Sequence, residues 1–381
     1  MSEELRVVHG QPSWRVATED VEGFVTRSGG HLGPVTFDRR GRAIQPLSVA
    51  PWEADEPGAA EDPLLRVLRG DFFTLPFGGN TEPYDGEHHP YHGETAQAVW
   101  TREADSRADR LHLSLRTSIR PGRVDKYIRL RAGHPVIYQR HLISDRSGPI
   151  SLGHHTMLRF PGDPGSGVLS TSRFVHGQVY PGDFEPDEGG SSALRPGAEF
   201  TSLHRVPMAD GGFTDLTRYP ARRGFEDLAM VVADDSQPYA WSAVTFARAG
   251  YAWFAIRDPR VLRNTVLWMS NGGRHYPPWN GRHVDVLGVE DVTAYFHEGV
   301  AASVGENPLS RAGHPTVVRL DPTRPLTVNH VMGLTPIPEG FDEVAAIDAG
   351  DTAETVDLRS RSGHTVTVPL DVGFLGGSGP A

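Results

Sequence analysis

The chain of 381 residues carries a formal net charge of −11, has no cysteine, and holds a single lysine, Lys126, among its 37 Lys+Arg residues. Without cysteine there is no disulfide framework, no thiolate nucleophile and no thiolate-held metal, and Schiff-base chemistry is left with one candidate. An acidic balance with no dense arginine block opposes nucleic-acid binding, which needs a clustered basic surface.

Read in chain order, Met1-Ser2-Glu3-Glu4-Leu5-Arg6 shows neither a basic n-region nor an apolar h-region. No later stretch approaches the roughly 20 apolar residues of a membrane helix. A soluble, cytoplasmic protein without membrane partners is expected. Hydrophobic periodicity is mostly two. Leu111-His112-Leu113-Ser114-Leu115 alternates as a half-buried strand does. Val124–Leu130 alternates as well, with Lys126 read as solvated, and Val136–Tyr138 follows. Residues 160–220, rich in Gly, Pro, Ser and Asp, read as an irregular excursion on one rim, too long for an ordinary loop. Strand patterns resume at Leu228–Val232, Trp241–Phe246, Tyr251–Ile256 and Val266–Met269, with Ala247-Arg248-Ala249-Gly250 as a hairpin turn. Val286–Phe296, Thr316–Leu320 and His364–Val368 complete the set; Asn307–Arg311 and Phe341–Ala349 are the helical candidates. Many short strands, punctuated by Gly, Pro, Asn and Asp, predict an all-β protein: one large antiparallel sandwich forming a single domain over 1–381.

The chemistry must come from His, Asp, Glu and Arg. Eighteen histidines cluster at His88, His89 and His92, at His154 and His155, and at His275 and His283 around Tyr276 and Trp279. Neutral imidazoles exchange protons near pH 7, although a single histidine in a loop is more often simply hydrogen-bonded. His89, His92, His155 and Glu290 could form a His/carboxylate metal site. Against it, residues three apart on a strand face opposite sides, and no His-Glu-x-x-His is present. A second pattern is Glu290-Asp291 inside Val286-Leu287-Gly288-Val289-Glu290-Asp291-Val292. Neighbours on a strand point to opposite faces, and a carboxylate among apolar residues has its pKa raised, as suits a general base.

An ordered set of short motifs carries a resemblance. Leu68-Arg69-Gly70-Asp71-Phe72-Phe73-Thr74-Leu75-Pro76-Phe77-Gly78-Gly79 comes first, then His92-Gly93 and Trp100, then His155-Thr156-Met157-Leu158, then Leu287-Gly288-Val289-Glu290. Spread over residues 68–292, this order resembles the hexose-6-phosphate 1-epimerase subgroup of the aldose 1-epimerase (galactose mutarotase-like) superfamily. The resemblance implies a β-supersandwich with a sugar cleft, Glu290 as general base and His155 as general acid, and no cofactor. It implies substrate contacts from Arg69 and His92, and less firmly from Asp215 in Phe213-Thr214-Asp215-Leu216. His154 remains an alternative to His155 as the residue facing the cleft, and Trp279 is a candidate to stack on the sugar. The chain departs from the family pattern where Asp71 replaces a glycine and where Met157-Leu158 replace aromatics.

The expected activity is 1-epimerisation of a sugar or sugar phosphate, its small-molecule partner, by a monomer or homodimer. Ring opening of a hemiacetal needs one group to take the anomeric proton and another to protonate the ring oxygen, which a carboxylate and an imidazole supply. A non-catalytic sugar-binding protein of the same fold, and a metal-using sugar isomerase or lyase on the histidine cluster, stand as alternatives.

Overall fold

Alternation of apolar and polar residues is realised as two large antiparallel sheets with a shared core. The computed structural model describes residues 5–52, 58, 60–182 and 189–377; residues 1–4 of the N-terminal run and 183–188 of the 160–220 stretch lie outside these. The first sheet has eleven strands. In spatial order they are Arg6–Val8, Gln11–Ala17, Glu22–Thr26, Leu32–Thr36, Asp71–Thr74, Leu152–Arg159, Val286–Thr293, Asn264–Asn271, Phe225–Ala233, Phe174–Val179 and Glu199–Phe200. The second has nine: Arg218–Tyr219, Gly167–Thr171, Ala240–Phe246, Tyr251–Arg257, Leu326–Pro336, Val136–Ser144, Gly122–Arg129, Arg110–Thr117 and Thr101–Arg102. The residue order is scrambled across both sheets, so the core closes only when distant parts of the chain meet. No helix among the described residues is long and apolar enough to cross a membrane.

Period two sorts the side chains into layers. Leu111 and Leu113 of the second sheet share an inter-sheet core with Leu152, Leu158, Leu287 and Val289 of the first. On the other face of the first sheet, Phe72, Met157, Leu228, Trp268 and Val292 join a separate cluster beneath loops and the short helix Pro63–Val67. The outer face of the second sheet is covered by a three-stranded sheet, Val344–Ala349, Thr355–Ser360 and Thr365–Pro369, which buries Val344, Ile347, Val356 and Leu358 against Tyr138, Trp241 and Phe254.

Three expectations are corrected. Phe341–Ala349 is not a helix: Val344–Ala349 is a strand paired with Thr355–Ser360, and the register shifts between Val344 and Ala346. That bulge places Val344 and Ile347, three apart, on one buried side, a spacing that imitates a helical face. Residues 160–220 are not purely an excursion, because Gly167–Thr171 and Phe174–Val179 are strands of the two main sheets. Lys126 is not solvated. It shares a face with Val124 and Ile128, is fully buried, and donates from Nζ to the Gly30 carbonyl at 2.6 Å. Burial lowers its pKa to about 8, partly opposed by the Asp71 charge.

Candidate active site

Three neighbouring strands at the centre of the first sheet bring the site together. His155 pairs with Phe72, and Thr156 with Val289, which sets His155 beside Glu290. The imidazole Nε2 lies 3.4 Å from Glu290 Oε1, and both residues are buried. Phe72 stacks on His155 with ring centres 4.6 Å apart, while His92 at 5.0 Å and Trp268 at 5.7 Å present their edges or faces to it. Gly288, two residues before Glu290 and on the same face, is required for space. A side chain there would come within 2.7 Å of the Glu290 carboxylate and 2.9 Å of Trp268.

Flanking segments wall this pair into a pocket. His92 and Gly93 both have φ in the left-handed region, at 57° and 77°. A Cβ on Gly93 would strike the Leu75 carbonyl at 2.1 Å, so the turn needs glycine there. His92 Nδ1 accepts from the Gly78 amide at 3.2 Å, which leaves the ring's proton on Nε2. The loop from Arg274 to His283 folds back on itself through Gly281 N–H donating to the Arg274 carbonyl at 2.7 Å, and it presents Trp279. The Arg274 guanidinium lies 4.2 Å from the centre of the Trp279 ring and 5.4 Å from that of Trp268. Trp268 is itself anchored by its indole N–H, 2.7 Å from Glu226 Oε1. On the remaining side the Pro63–Val67 helix, capped by the Asp62 carboxylate on the Leu64 amide, brings Leu64, Leu65 and Leu68 to the cavity.

Burial dominates the electrostatics. It pushes the Glu290 carboxyl well above the ordinary carboxylate range, and the Arg274 charge only partly opposes this. Burial also lowers His155 to about 3, with Arg274 and His297 contributing to the same direction. Burial therefore disfavours the charged form of both groups. Glu226 is raised to about 7 by burial against the opposing influence of Arg274, Ser270 and Trp268.

His155, Glu290, His92 and Trp279 thus line one cavity. The other three expected contacts do not reach it. Arg69 is buried elsewhere, its guanidinium donating to the carbonyls of Val8, His9 and Val67, where it ties the first strand to the sheet. His154 points to the opposite face of the sheet, between the layers, with Nδ1 2.9 Å from Asp71. Asp215 sits on the rim, bonded to Thr217 and paired with His204. The proposed metal set is not assembled: His89 Nε2 bonds Glu87 at 2.8 Å, and Glu87 also takes Arg120. Among the described residues no group of three or more His, Asp or Glu could hold a metal ion.

Arg274, Trp268, His297, Tyr91 and the helix leucines line the cavity without having been singled out. Arg274 opens the very loop whose aromatics drew attention, and that proximity was its available signal. Trp268 lies in a strand whose apolar pattern conceals which face is open.

No family model matches the sequence, and no curated protein matches it significantly. Solved structures do match. A protein from Escherichia coli K12, provisionally named an aldose 1-epimerase, superposes with a TM-score of 0.57 at 14% identity, covering 86% of this chain and 100% of the other. The chain has the galactose mutarotase-like fold. A galactose mutarotase-like protein from Clostridium acetobutylicum gives 0.58 at 11% identity over 88% of this chain and 98% of its own. The Slr1438 protein from Synechocystis sp. PCC 6803 gives 0.56 at 15% identity over 88% and 98%. The all-β sandwich architecture expected from the sequence is therefore the one observed.

Proposed function

We propose that this protein is a carbohydrate-processing enzyme that interconverts the anomers of a monosaccharide, with His155 and Glu290 as the catalytic pair. The observation that carries the reading is the 3.4 Å approach of a buried imidazole and a buried carboxyl group in the lining of one pocket. Mutarotation needs one exchangeable proton between an acid and a base. With the pair's single proton on His155 and Glu290 ionised, the anomeric hydroxyl gives its proton to Glu290, the ring oxygen takes the imidazolium proton of His155, and the bond between C1 and the ring oxygen breaks to give the open aldehyde. Rotation about C1–C2 and reclosure exchange the two roles. Trp268 and Trp279 offer flat apolar faces for the ring, and Arg274, poised near Glu290, favours the carboxylate once substrate hydroxyls enter. General acid–base catalysis of this kind contributes about 10²–10⁴-fold per group.

The test is anomeric exchange followed by NMR across a panel of monosaccharides, with wild type, Glu290→Gln and His155→Ala. Exchange above the buffer rate in wild type, and its loss in both variants, supports the proposal. Full exchange in Glu290→Gln would remove that residue from the reaction.

A further inference from the structure

The cavity is chemically lopsided. Leu64 and Leu65 from the Pro63–Val67 helix and Leu68 at its C-terminal cap, together with Leu228 and Phe72, make an apolar wall. Leu64, Leu68, Leu228 and Phe72 belong to one buried cluster, against which Leu65 packs. The helix is fixed in this position: Asp62 caps it, and the Trp52 indole N–H donates to the Leu65 carbonyl at 2.8 Å. Of that wall, Phe72 meets the imidazoles, stacking on His155 and lying edge-on to His92. Among the described lining residues there is no Asp, Asn, Gln, Ser or Thr, and Arg274 is the one arginine or lysine. Hexose hydroxyls bind through such donors and acceptors, and a hydroxyl pressed on leucine loses its water without replacement.

Resting on the mutarotation reading, we infer that the substrate is a 6-deoxyhexose, a sugar whose exocyclic group is a methyl rather than a hydroxymethyl or a phosphorylated one. The carbon that bears this group is bonded to the ring oxygen, the atom assigned to His155. Phe72, stacked on His155, belongs to the same buried cluster as Leu64, Leu68 and Leu228, and we set the exocyclic group beside the ring oxygen against that wall. A methyl is buried there at no polar cost, whereas a hydroxyl is desolvated and a phosphate dianion more so.

Matched sugars test this: D-galactose against 6-deoxy-D-galactose, D-glucose against 6-deoxy-D-glucose, and D-glucose 6-phosphate. Exchange rates are read by NMR and binding by calorimetry. The expected kcat/KM favours each 6-deoxy sugar by about 10–100-fold over its 6-hydroxy partner, with the phosphate slowest. Leu65→Gln, checked for folding by its thermal melt, should narrow that ratio. Equal or faster turnover of the hexoses or of the phosphate overturns the inference while leaving the mutarotation reading intact. If no sugar exchanges, the mutarotation reading fails. Calorimetry then decides the substrate class alone: tighter binding of the 6-deoxy sugars supports it, and equal or weaker binding overturns it.

Discussion

The same three strands carry two sets of histidine and carboxylate, back to back. On the cleft face stand His155 and Glu290; one residue away on each strand, His154 and Asp291 enter the space between the sheets, joined there by Asp71. The interior carboxylates are well supplied with donors. Asp71 accepts from Gln139 at 2.6 Å, from His154 at 2.9 Å and from Thr156 at 2.8 Å. Asp291 pairs with Arg257 at 2.9 Å and bonds Thr265 and His330. Burial is the largest single influence on both charges, yet His154, His330 and Lys126 together outweigh it at Asp71, and Arg257, His330 and Thr265 together at Asp291, so both carboxyls titrate below their ordinary value. Glu290 has comparable burial with only the Arg274 charge opposing it, and its carboxyl shifts the other way. Burial alone does not make a carboxylate structural or reactive; the supply of donors around it does.

That contrast can be broken at its strongest point. Glu290→Gln is expected to lower anomeric exchange by about 10²–10⁴-fold, measured by NMR. Asp291→Ala, on the adjacent residue, should leave Arg257 buried and uncompensated and cost about 3–5 kcal/mol of stability, read from denaturant unfolding. If both substitutions act mainly on activity, or both mainly on stability, the two faces are not distinct.

The smaller effects sharpen the comparison through pH. A raised folded-state pKa means that the contribution of Glu290 to stability is fully present below its unfolded value, about 4.3, and is lost as pH rises through the folded value. Glu290→Gln removes that loss, so the variant should gain about 0.5–2 kcal/mol at neutral pH and nothing at pH 4, seen in thermal melts. The depressed Asp71 and Asp291 behave oppositely. Their contribution is present above about 3.9 and disappears as pH falls through the lower folded values, so Asp71→Asn should flatten the acid limb of the stability profile. For activity, the pair must keep its single shared proton, so kcat/KM should fall as pH rises through a midpoint above the ordinary carboxylate range, where that proton is lost. Glu290→Gln should lack that limb.

The sandwich was legible because strand alternation survives in single segments, and the pair His155 and Glu290 because ordered short motifs carry it. Alternation gives the two faces of a strand but not which face is open. Hence Lys126, with Val124 and Ile128 as its face-mates, looked solvated and proved interior. His154 and His155 were interchangeable until Phe72 and Asp71 took opposite sides. Asp71, where the family pattern has glycine, finds its reason only in three dimensions, as the acceptor that holds His154, Gln139 and Thr156. The leucine wall stayed hidden because a helix of five residues is too short to display a period.

The most direct measurement compares anomeric exchange per folded molecule in wild type, Glu290→Gln and Asp291→Asn, side by side in one buffer. The account predicts rapid exchange in wild type, exchange retained in Asp291→Asn, and exchange at the buffer rate in Glu290→Gln. Equal exchange in wild type and Glu290→Gln, or a wild type no faster than buffer, would contradict it.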